Sequence, residues 1–112
     1  MKILDSVIMF DEFKQIAENI FGNMVKAVVD IERELIAIDA ELPSDLESLL
    51  LDAGSKQKDL WGINLYLNAQ EDYIEFDSMI NLRPSQGNMS RGVDSSDIQK
   101  KIIILVNKWI KI

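Results

Sequence analysis

The chain has 112 residues, no cysteine and no histidine, and 12 basic against 19 acidic side chains, for a formal charge of −7. That length is one domain's worth, and on folding it removes roughly two thirds of its unfolded surface from water without needing a staple. The missing side chains argue against disulfides, thiolate nucleophiles, His-assisted catalysis and most zinc or copper sites, so any metal would be a hard, oxygen-ligated one, while a pI near 4.5 argues against a nucleic-acid partner.

Phe13, Ile16, Ala17, Ile20 and Phe21 fall on one helical face, with Asp11 placed to cap the start and Gly22 to end it. Val25, Ala27, Val29 and Ile31 then alternate with Lys26 and Asp30, and ELIAIDA follows after a turn near Glu32, which predicts a first hairpin. Ser44 and Glu47 have capping-box spacing for a helix of about 45 to 53, with Leu46, Leu49, Leu50 and Ala53 on its buried face and Gly54 at its end.

The second hairpin is clearer. Trp61, Ile63, Leu65 and Leu67 alternate with polar residues, NAQED supplies the turn, and Ile74, Phe76, Ser78, Ile80 and Leu82 carry the alternation back. Pro84 ends that strand, and PSQGNMSRG has the composition of an exposed loop. Ser96 and Gln99 repeat the capping-box spacing before a last helix of about 97 to 110, with Ile98, Ile102, Leu105, Val106 and Trp109 on one face. Ile103, Ile104 and Ile110 fall outside that stripe, which marks a helix buried on more than one side or part of an oligomer contact.

The order α-β-β-α-β-β-α predicts a single α+β domain over residues 1–112, a four-stranded antiparallel sheet with helices packed on one face. A helix, a glycine and a hairpin occur twice, the pattern an internal duplication would leave. No apolar run approaches the roughly 20 residues of a membrane span, and Asp5 interrupts the first one, so the expected location is cytoplasmic with no membrane partner.

Two groups of side chains have the chemistry of a site. Glu75 and Asp77 stand two apart on a predicted strand, sharing a face with Lys26, Asp30, Asn64 and Asn81, where paired carboxylates can hold Mg²⁺ or Ca²⁺ or act as acid and base. The same pattern is what the solvated face of a half-buried sheet requires. Beyond them, Arg83, Gln86, Asn88, Ser90 and Arg91, with the amides near Gly87 and Gly92, form a set able to cradle an anion such as phosphate, although an acidic chain also uses Arg to tie its own loops. No P-loop spacing is present. Trp61, Tyr66, Tyr73 and Phe76 divide between the faces of the hairpin, and the acid around them disfavours base stacking. Lys100, Lys101, Lys108 and Lys111 edge the last helix, for which a core helix is the first reading, self-association through its isoleucines the second and a membrane surface a distant third.

FGNMVKAVVDIERE at 21–34, DLWGINLY at 59–66 and IEFDSMINLRPSQGNMSR at 74–91 resemble an uncharacterised family of small prokaryotic proteins, a domain of unknown function. The resemblance implies no activity. Asp39 and Ala40 stand where that pattern has a Gly-Gly pair, and Pro43 where it has a histidine, so any chemistry that histidine performs is lost here. The resulting expectation is a non-enzymatic protein-interaction or regulatory module without a cofactor, a homodimer through the last helix or a sheet edge, with a basic protein as a further partner. The alternative is an anionic-ligand-binding or divalent-metal-dependent enzyme built on the 75–91 segment.

Overall fold

The structure is a computed structural model that describes residues 1–67 and 73–111. Its elements run β1 (Lys2–Ile3), β2 (Ile8–Met9), α1 (Phe10–Ile20), β3 (Met24–Asp30), β4 (Leu35–Ile38), α2 (Pro43–Asp52), β5 (Leu60–Tyr66), β6 (Ile74–Glu75), α3 (Ser96–Trp109) and β7 (Ile110–Lys111). Three 3₁₀ turns, Gln57–Asp59, Met79–Asn81 and Pro84–Gln86, punctuate the chain between them.

The fold is α+β. Its sheet has five strands rather than four, ordered β1-β4-β3-β5-β6, and every neighbouring pair is antiparallel. The added strand is β1, whose two residues pair with Ala37 and Ile38 and are too short to leave a periodic signal. β3 and β5 pair along seven residues, from Met24 opposite Tyr66 to Asp30 opposite Leu60, and so form the spine of the sheet. A separate parallel pair joins β2 to β7, Ile8 opposite Ile110.

The helices divide between two faces, correcting the expectation that they pack on one. Phe13, Ile16 and Ala17 of α1 and Ile102, Leu105 and Val106 of α3 close over Val25, Ala27, Val29, Ile36, Ile38, Ile63 and Leu65. Leu46 and Leu50 of α2 close over Val28, Ala37 and Leu60 on the opposite face. The physical cause lies in β3: Ala27, Val28 and Val29 are apolar in succession, and a strand apolar in both registers needs cover on both sides.

The helix starts also differ from expectation. Asp11 lies within the first turn of α1, whose N-cap is Met9. α2 begins at Pro43 with Leu42 as N-cap and no side-chain cap, so the Ser44–Glu47 box does not form; proline suits the first helical position because its missing N–H would be unpaired there. In α3 the cap is Ser95, whose hydroxyl accepts from the Ile98 amide, one residue ahead of the expected Ser96. Gly22 and Gly54 follow α1 and α2 at φ +94° and +101°.

The second hairpin departs most. β5 runs as expected, and the NAQED turn lies outside the described residues, but β6 stops at Glu75, and Ser78, Ile80 and Leu82 belong to a 3₁₀ turn and its flanks.

Candidate functional site

β6 stops because side chains take over the exposed edge of β5. Asn81, fully buried, donates from Nδ2 to the Gly62 carbonyl at 2.9 Å and accepts the Gly62 amide on Oδ1 at 2.8 Å, the pair of bonds a neighbouring strand would make with its backbone. The same Nδ2 also donates to the Arg91 carbonyl. Gly62 is required by this approach: a Cβ there would stand 2.5 Å from Ser78 Oγ and 2.6 Å from Ser78 Cβ. Further along the edge, Arg83 donates from one terminal nitrogen to the Leu60 carbonyl at 2.8 Å and from the other to the Gln57 carbonyl, with its guanidinium 4.2 Å from the Trp61 ring centroid. Desolvation lowers the Arg83 pKa from its ordinary value, against the opposing pull of Glu47 and Asp59.

Residues 83–88 fold into a tight turn, with Arg83 and Asn88 exchanging backbone hydrogen bonds and Gly87 at φ +83°. Asn88 organises the rest. Its Nδ2 reaches the carbonyls of Asn81, Ser90 and Gly92, and its Oδ1 accepts the Asp94 amide. Ser90 donates to Asp94 Oδ1 at 2.6 Å, and the Met89 amide to Asp94 Oδ2 at 2.7 Å, so the Asp94 carboxyl is held below its ordinary pKa by the Ser90 hydroxyl first and the Met89 amide second. Arg91 pairs with Asp77 at 2.9 Å on the surface. Of the predicted anion-binding set, Arg83, Asn88 and Ser90 thus hold the chain to itself, Arg91 meets a carboxylate, and Gln86 stands exposed.

The sheet-face set divides in two. Lys26 donates to Asn64 Oδ1, Asn64 donates to Glu75 Oε1 at 2.8 Å and to the Asp77 carbonyl, and Tyr66 donates to the same Glu75 oxygen. The Tyr66 hydroxyl is pushed above its ordinary pKa, by desolvation first and then by Glu75. Asp30 lies at the far end of β3, where its carboxylate accepts the Glu32 and Arg33 amides and the Ser55 hydroxyl, closing the β3–β4 turn against the end of α2. Among the described residues, no group of three or more acidic side chains has metal-binding geometry.

Beside the loop lies a cavity of about 320 Å³ where the Gln57–Asp59 turn, the loop and the start of α3 meet. Gln86 and Asn88 line it, joined by Lys58, Trp61, Asp94, Ser95 and Ile98; Glu75, Asp77, Arg83 and Arg91 do not. The family described as "Protein of unknown function (DUF5674)" matches residues 2–109. The chain belongs to that family. No curated protein and no solved structure matches it.

For this DUF5674 protein, then, the chemistry rests on geometry alone. Sequence reasoning reaches Gln86 and Asn88 but misses Lys58, Asp94 and Ser95, which come from two short segments with no shared motif. Trp61, expected in the core, lies there while also walling the cavity. No described helix is long and apolar enough to cross a membrane.

Proposed function

We propose that the protein is a non-enzymatic interaction module that pairs with a second copy of itself through the outer face of α3. The observation that carries this is Ile104, 68% exposed, beside Ile103 at 39%, on a helix whose other face is sealed against the sheet. A large aliphatic side chain held so far out of the core gains stability only when something covers it.

The ridge is flanked by two hollows. One of about 240 Å³ is lined by Ile31, Glu32, Glu34, Lys101, Ile104 and Leu105. The other, of about 170 Å³, is lined by Tyr73, Ile74, Phe76 and Ile103. Ridge, hollow and both signs of charge on one surface make it self-complementary under a two-fold axis, with Lys101 of one copy able to face Glu32 and Glu34 of the other. A stable pair buries roughly 800 Å² on each side, so the contact has to take in the hollows as well as the ridge.

The test is the mass by light scattering and sedimentation from micromolar to sub-millimolar protein. Wild type is expected to be dimeric and Ile104→Glu monomeric with an unchanged circular dichroism spectrum. A monomeric wild type at the highest concentration would refute the pairing. A ligand-binding reading is favoured separately by the cavity beside Gln86 and Asn88.

A further inference from the structure

The cavity and the α3 ridge use different residues, so a ligand in the cavity does not depend on self-association. At about 320 Å³ the cavity is at the small end of the roughly 300–1,000 Å³ range of small-molecule sites. Its apolar part is made by Trp61 and Ile98. Trp61 is only 5% exposed, with the Arg83 guanidinium stacked 4.2 Å from its ring centroid, so that wall is fixed before any ligand arrives.

Two opposite charges line the same space from unconnected segments. Lys58 lines it from the turn after α2, and Asp94 from the segment before α3. They are not paired with each other: the ion-pair partner of Lys58 is its neighbour Asp59, at 3.3 Å, and Asp94 has no ion pair among the described residues. The Met89 amide and the Ser90 hydroxyl fix the orientation of the Asp94 carboxylate yet fill only part of its roughly four acceptor positions. A phosphate or simple carboxylate would meet Asp94 as a like charge, and a simple amine would meet Lys58. A small molecule carrying both charges can set each one against the opposite charge of the lining.

We infer that this cavity binds a free α-amino acid with an apolar side chain, its carboxylate on Lys58, its ammonium on Asp94 and its side chain against Trp61 and Ile98. Gln86, exposed at the tip of the loop, lines the same cavity.

The experiment is a titration of the full ¹⁵N-labelled chain followed by heteronuclear NMR. With two tryptophans there are two indole N–H signals, and Trp109, which donates to the Glu34 carbonyl and does not line the cavity, is an internal control. The probes are leucine, 4-methylpentanoate, which lacks the ammonium, and isoamylamine, which lacks the carboxylate. Saturable movement of the Trp61 and Gln86 signals by leucine, with both analogues weaker by about tenfold or more, is the expected result. Lys58→Gln should weaken leucine by about tenfold and leave isoamylamine no weaker than before. Asp94→Asn should weaken leucine similarly without weakening 4-methylpentanoate; should that change disturb the loop, the exposed Lys58 variant decides alone. No saturable shift at millimolar leucine, equal binding of the three probes, or a Lys58→Gln protein that binds leucine as tightly as wild type would each overturn the assignment.

Discussion

Replacing Asn81 by leucine, nearly its shape but without its amide, removes the side chain that stands in for a strand beside β5. Two buried groups lose their partner, the Gly62 amide and the Gly62 carbonyl, bonded at 2.8 and 2.9 Å, while the Arg91 carbonyl keeps the Ser78 amide. Each polar group left unsatisfied in the interior costs about 1–3 kcal/mol, so the expected loss for the two is about 2–6 kcal/mol. Against a stability of roughly 5–15 kcal/mol for a domain, that is a large share, and the thermal midpoint should fall by at least about 10 °C. Urea denaturation followed by tryptophan fluorescence gives the free energy, and hydrogen exchange at the Gly62 amide gives the location. If Asn81→Leu unfolds within about 1 kcal/mol of wild type, or the Gly62 amide keeps its protection, the side chain is not completing the sheet.

Three further outcomes are expected in the same region. Gly62→Ala places a methyl carbon 2.6 Å from Ser78 Cβ and should cost about 1–3 kcal/mol in urea unfolding, with part of the loss recovered in a Gly62→Ala, Ser78→Gly double variant. Arg83→Lys keeps the charge but cannot hold the Gln57 and Leu60 carbonyls with one planar fork over Trp61, so a loss of about 2–4 kcal/mol is expected from chemical denaturation. Asp94 has a folded-state pKa depressed below its ordinary 3.8, so its contribution is complete above that value and disappears as the pH falls through the lower folded value; Asp94→Asn should flatten the stability curve there in acid unfolding, and an unchanged slope would count against the Ser90 and Met89 bonds.

Most of the regular structure is legible in the sequence. Val25, Ala27 and Val29, the helical spacing of Phe13 to Ala17, and the stripe from Ile98 to Val106 each mark an element whose neighbours in sequence are also its neighbours in environment. The same strand holds a second signal that alternation hides. Val28 is as apolar as Val29, and that continuity, rather than the alternation around it, reports that both faces of the sheet are covered. From Ile74 to Leu82 the alternation is genuine but its cause is different, since Ser78, Ile80 and Asn81 are spaced to reach back to Gly62 from a 3₁₀ turn. Polar side chains replacing backbone partners leave no periodic trace. The site is legible only in pieces: the loop composition points to Gln86 and Asn88, whereas Lys58 and Asp94 come together through the path of the chain and nothing local to either announces it.

The parallel pairing of β2 with β7 also orders events in time. Ile8 leaves the ribosome long before Ile110, yet each is buried beside the other. Pairings between such remote segments are slow to close, and until Ile110 is available the start of α1 has no finished place to dock. In the nascent chain Ile8 therefore lacks its pairing partner until β7 has emerged. Loss of β7 should be felt first at the other side of the pairing, as fraying of the segment that carries Ile8.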